Sequence, residues 1–137
     1  MLSFPKSEEK TVVDNEVYTI RDLNLYDCKG RIVFTISTTV LRSGQQTFGH
    51  KHANDPEVYE FVEGYGKMIL DNSTINVKSG DYVFVEESKY HKVINLSKSS
   101  DLVFKCYFNG EIKRPHLKWH WFTVPYVLSF DQFKIIL

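Results

Sequence analysis

Cysteine is scarce in this sequence: Cys28 and Cys106 lie far apart and belong to no CxxC pair or zinc-ligand spacing. Both are expected to be free, mostly buried thiols. A charge excess of one sign is also missing, because 17 Lys and Arg balance 17 Asp and Glu. Without a cationic field, neither nucleic acid nor an anionic membrane is an expected partner, and a small-molecule ligand is the better expectation. No apolar run approaches the roughly 20 residues that cross a bilayer. The opening residues, Met1 to Lys10, hold no apolar stretch of the signal-peptide kind, so a cytoplasmic protein is expected. Four prolines and no low-complexity tract exclude a disordered chain. A length of 137 residues suits a single domain, 1–137, with one active centre.

What is present is a series of short runs rich in β-branched and aromatic residues, separated by Gly, Asn, Asp and Ser. Strands are expected over 31–41, 58–62, 67–70, 74–77, 82–85, 89–96 and 102–108, with Asp71-Asn72-Ser73 as a hairpin turn. Many short strands predict a sandwich or barrel. The first sixteen residues read as a short polar arm, although Thr11–Val13 and Val17–Ile20 can each add a strand. From Lys118 to Leu137 the chain is strongly aromatic, with Trp119, Trp121, Phe122, Tyr126, Phe130 and Phe133. Such an extension is expected to pack on the barrel or across a homodimer.

The chemistry concentrates in two stretches. In a strand, alternate side chains share a face, so His50 and His52 of Gly49-His50-Lys51-His52 point the same way. Glu57, Tyr59 and Phe61 share one face of the next run, and a third imidazole, His91, comes after the turn at Ser88. Three imidazoles and a carboxylate are a borderline-hard donor set suited to one divalent transition-metal ion, Fe, Mn, Ni, Co, Cu or Zn, with positions left for water or substrate. Glu60, Glu63, Glu86 and Glu87 are expected on the solvated outer face. Phe34, Phe61, Phe84, Phe104 and Tyr82 are expected to fill the barrel. His116 and His120 read as surface or interface residues.

Both stretches resemble the two motifs of the cupin superfamily. Gly44, His50, His52, Glu57 and Gly64 stand at every fixed position of the first motif. Gly80, His91 and Asn95 match the second, while Glu86 and Ser88 replace its proline and glycine, a change of turn geometry rather than of metal ligation. The resemblance covers about residues 31–108. It implies an all-β fold, the cupin double-stranded β-helix or jelly-roll-like small barrel, with His50, His52, Glu57 and His91 as metal ligands.

Within cupins, Thr47 to His52, Glu57-Val58-Tyr59 and Gly64 to Met68 look most like the archaeal-type cupin phosphoglucose isomerases. That resemblance implies metal-dependent interconversion of glucose 6-phosphate and fructose 6-phosphate, with Thr47, Gly49 and Tyr59 lining the sugar-phosphate pocket and Thr39 as a further candidate. The family's His-x-Tyr feature has no counterpart in Asn109 to His116, where Lys113 and Arg114 are available to a phosphate. Glu57 is the expected catalytic proton carrier. Two other classes suit the same donor set: a dioxygenase, and a non-catalytic small-molecule or carbohydrate-binding cupin.

Overall fold

The computed structural model describes residues 3–49 and 56–112. Among these residues are nine strands in chain order: β1 (Lys6–Asp14), β2 (Tyr18–Tyr26), β3 (Ile32–Leu41), β4 (Glu57–Glu63), β5 (Tyr65–Leu70), β6 (Ser73–Lys78), β7 (Tyr82–Val85), β8 (His91–Asn95) and β9 (Leu102–Asn109). They form a six-stranded sheet, β1-β2-β3-β9-β4-β7, and a three-stranded sheet, β6-β5-β8, antiparallel throughout. The small sheet is extended at β8 by residues 45–47, through the Gln46–Ile94 bridge and the Thr47 amide donating to Val93 at 2.9 Å. The core lies between the sheets and holds Leu41, Phe61, Met68, Val93, Leu102 and Phe104, among others.

The amino-terminal stretch is a hairpin rather than an arm: β1 pairs along most of β2, and β2 joins the large sheet beside β3. Sequence patterning covers only the start of β2, because beyond Ile20 its alternation is inverted. Asp22 and Asn24 are buried while Leu23 and Leu25 are half-buried on the opposite face. Strand β7 spans the expected residues, and β4, β5, β6, β8 and β9 agree with expectation to within a few residues.

Two motif positions set the turns. At Gly64, φ is +92° and an added Cβ would stand 2.6 Å from the Asp101 carbonyl, so glycine is required twice over. Ser88, in the place of the motif glycine, keeps the left-handed geometry at φ 66°. The motif residue Asn95 has a structural task. Its amide donates to the carbonyls of Leu41, Arg42 and Ser100 at 2.8–3.1 Å, and its oxygen accepts from Ser97.

Several expectations need correction. Cys28 is exposed, although both cysteines are free and Cys106 is buried. Tyr82 and Phe84 do not fill the barrel; they are 66% and 61% exposed on its outside. Phe34 lies on the outer face as well, 6.5 Å from the ring of Tyr107. Glu60 is on that face but not simply solvated, since the Tyr107 and Tyr82 hydroxyls donate to it at 2.5 and 3.1 Å. Lys113, Arg114, His116, His120 and the aromatic stretch from Lys118 to Leu137 lie outside the described residues.

Candidate metal centre and barrel interior

Register places the inward side chains of the large sheet in layers. The layer at the Glu57 end runs Asn24, Thr35, Phe108, then Glu57 and Val85. The next holds Asp22, Ser37, Cys106, Tyr59 and Val83, and the third Ile20, Thr39, Phe104 and Phe61. Tyr18, Leu41 and Leu102 close the far end. The interior therefore grades from polar at the Glu57 end to apolar at the other.

Glu57 opens β4 and is 2% exposed; His91 opens β8 on the facing sheet and is 1% exposed. The two meet across the interior, with His91 Nε2 2.7 Å from Glu57 Oε1. The other ring nitrogen, Nδ1–H, donates to the Lys89 carbonyl at 2.8 Å, which orients the ring and aims Nε2 inward. Asp71, at the β5–β6 turn, anchors the loop before His91: its carboxylate accepts from the Tyr90 amide at 3.0 Å and pairs with Lys89 at 3.4 Å. A carboxylate and an imidazole, buried, facing and backed in this way, suit a transition-metal ion. His50 and His52 lie outside the described residues, and among the described residues no group of three or more ligating side chains occurs.

Tyr59 lies one layer below Glu57. Its ring stacks on Phe104 at 5.5 Å and on Phe61 at 6.2 Å and meets His91 edge-on at 5.8 Å. Burial, and next the Glu57 carboxylate, hold its phenol well above the usual range, so it is a neutral hydroxyl near pH 7. Thr39 is buried two layers from Glu57. Thr47 is tied to β8, its hydroxyl accepting from the Val93 amide at 3.0 Å. Gly49 lies against the ring of Tyr90, which would have to move to admit a side chain there. Glu57, His91, Tyr59 and Thr39 thus share the interior, while Thr47 and Gly49 stand on the segment running toward His50.

Sequence reasoning missed Asp22, Asn24 and Ser37, which are buried in the two layers at the Glu57 end, and placed Cys106 in the interior without placing it beside Glu57. The alternation Thr35, Ser37, Thr39 is the signal that could have found this lining, but polar residues at alternate positions ordinarily mark a face turned to water.

The chain belongs to the cupin family: residues 37–108, more than half of its length, match the Cupin domain. An uncharacterised protein of Methanocaldococcus jannaschii is 32% identical over 90 residues, spanning 64% of this chain and 70% of that protein. Among solved structures, a mutant of oxalate decarboxylase OxdC from Bacillus subtilis superposes with a TM-score of 0.65 at 20% identity, over 91% of this chain and 34% of that one. KdgF from a Halomonas species superposes at 0.60 with 12% identity, over 79% of this chain and 90% of that one. These two structural likenesses concern the fold alone. Among the described residues no helix is long and apolar enough to cross a membrane.

Proposed function

We propose that this chain is a metal-dependent cupin in which His50, His52, Glu57 and His91 hold one divalent transition-metal ion beside a pocket for a small hydroxylated ligand. Aldose–ketose isomerisation of a sugar phosphate is the reaction we assign to it. The observation that carries the reading is the buried Glu57–His91 contact at 2.7 Å, with His91 oriented by the Lys89 carbonyl. Its support on the ligand side is the pair of polar layers next to Glu57, where hydroxyls, an amide and a carboxylate line the interior of a small barrel.

A divalent ion in this site supplies Lewis-acid polarisation of the ligand's oxygens. The chain's own residues do the rest. Glu57, at the start of β4, is the group that carries a proton between neighbouring carbons of the substrate. Tyr59, held by aromatic stacking, offers a hydroxyl to a substrate oxygen, and Thr39 offers another deeper in. The apolar layers below, from Phe61 to Leu41, exclude water from the floor and strengthen these contacts.

The test is elemental analysis of protein purified without chelator, then a coupled assay on fructose 6-phosphate with Fe, Mn, Ni, Co, Cu or Zn restored. About one ion per chain is expected, lost in His91→Ala. Glu57→Gln should abolish turnover, and Tyr59→Phe should lower it by roughly fivefold, one hydrogen bond of about 1 kcal/mol. Unchanged metal content in His91→Ala would reject the site. Turnover with none of the metals would reject the isomerase reading and leave the metal centre standing.

A further inference from the structure

The outer face of the large sheet carries an apolar row across five strands: Leu23 pairs with Ile36, Ile36 with Tyr107, Tyr107 with Val58, and Val58 with Phe84. Its exposed end is substantial, with Phe84 61% and neighbouring Tyr82 66% open to solvent. Apolar patches of this kind mark surfaces that something covers.

The course of the chain points to the occupant. Strand β9 ends at Asn109, which pairs with Phe34, and the Gly110 amide donates to the Val33 carbonyl at 3.0 Å. The chain therefore leaves the sheet at the margin of this row. Residues 113–137, next along the chain, are the most aromatic part of the sequence and end Ile135-Ile136-Leu137. The row is roughly 19 Å wide at about 4.8 Å per strand. Residues 113–137 reach roughly 35 Å even as a helix, at about 1.5 Å per residue. A tethered segment also meets its target at an effective concentration no free partner matches. An exposed apolar row and an aromatic stretch of sequence are thus separated by only a few residues of chain.

We infer that residues 113–137 dock on the outer row Leu23–Ile36–Tyr107–Val58–Phe84 of their own chain.

Both tryptophans of the protein, Trp119 and Trp121, lie in this segment, so tryptophan fluorescence of the full chain reports on it alone. The wild type should show blue-shifted emission poorly quenched by acrylamide. Phe84→Asp should shift the emission to the red and raise quenching several-fold, with far-UV circular dichroism and molecular mass unchanged. Tyr65→Asp, at an exposed aromatic of the small sheet, should leave emission as it is. A photo-crosslinking phenylalanine analogue at position 84 should join to a peptide of 113–137 within a species of monomer mass. Solvent-exposed tryptophans in the wild type, no response to Phe84→Asp, or an equal response to Tyr65→Asp would overturn the inference. A crosslink found only in a dimer would overturn it in favour of a second copy.

Discussion

The two faces of β2 and β3 reverse the usual order of a barrel wall. Inward they carry Asp22, Asn24, Thr35, Ser37 and Thr39, all buried, while outward Leu23, Leu25, Phe34, Ile36 and Val40 stand among Thr19, Arg21 and Thr38. A sheet packed only for stability buries the second set and wets the first. Here the polar set lies in the layers nearest Glu57 and His91, and the same strands turn apolar toward the interior farther down, at Tyr18 and Leu41. The inversion is therefore local to the candidate site. A buried polar group is tolerated where it is hydrogen-bonded: the Thr35 hydroxyl donates to the Gly110 carbonyl at 2.8 Å and lies 3.0 Å from Asn24 Oδ1. The outward apolar set is the complement of that choice, and calls for a covering element.

The largest effect is expected at the interior pair. In metal-free protein, His91→Ala takes the imidazole away from the buried Glu57 carboxylate, and should lower the unfolding free energy by about 3 kcal/mol. Chemical denaturation of chelator-treated protein measures it, with the slope unchanged if the barrel stays folded. A loss under about 1 kcal/mol would mean that the layer around Glu57 is wet rather than buried.

Thr35→Val tests the polar lining itself. The side chains are nearly isosteric, so the change removes a hydroxyl and leaves Asn24 and the Gly110 carbonyl to find other partners. A destabilisation of about 1–2 kcal/mol is expected, measured by the same denaturation. A more stable Thr35→Val protein would show that the inward polar set contributes nothing to the fold and is retained for the ligand alone.

The smallest effect belongs to the outer face. Hydrogen bonding to Glu60 pushes the Tyr107 phenol up to about 12, and the same bond holds the Glu60 carboxyl below its usual range. Glu60→Gln should bring Tyr107 back toward about 10, read by NMR of ring-labelled tyrosine. The raised phenol favours folding fully below about 10, and that contribution disappears as pH rises through about 12. The lowered carboxyl favours folding above its unfolded value, and that contribution disappears as pH falls through its folded one. The stability gap between wild type and Glu60→Gln should therefore be widest near neutral pH. A Tyr107 titration unmoved by Glu60→Gln would show that the bond does not persist in solution.

How much of this was legible depends on what each residue answers to. Strand β7 was readable because Gly80 and Ser88 bracket Tyr82–Val85 with turns whose backbone needs are local. The family was readable because glycines, histidines, Glu57 and Asn95 recur at fixed spacing, and that spacing encodes strand length and turn position. The facing of β2 was not readable. Leu23 and Leu25 look like core residues in any local window, and Asp22 and Asn24 look like surface ones.

From the sequence alone came an all-β cupin chain, its turns, and the residues suited to a metal, since these depend on alternation, backbone preference and donor chemistry within a few residues. Tertiary structure alone decided which face of β2 and β3 is inside, that Tyr82 and Phe84 stand outside, and that Glu57 meets His91 at 2.7 Å. Those outcomes depend on register between strands far apart in the chain, and on which surface is closed by a partner element. No local pattern carries that information.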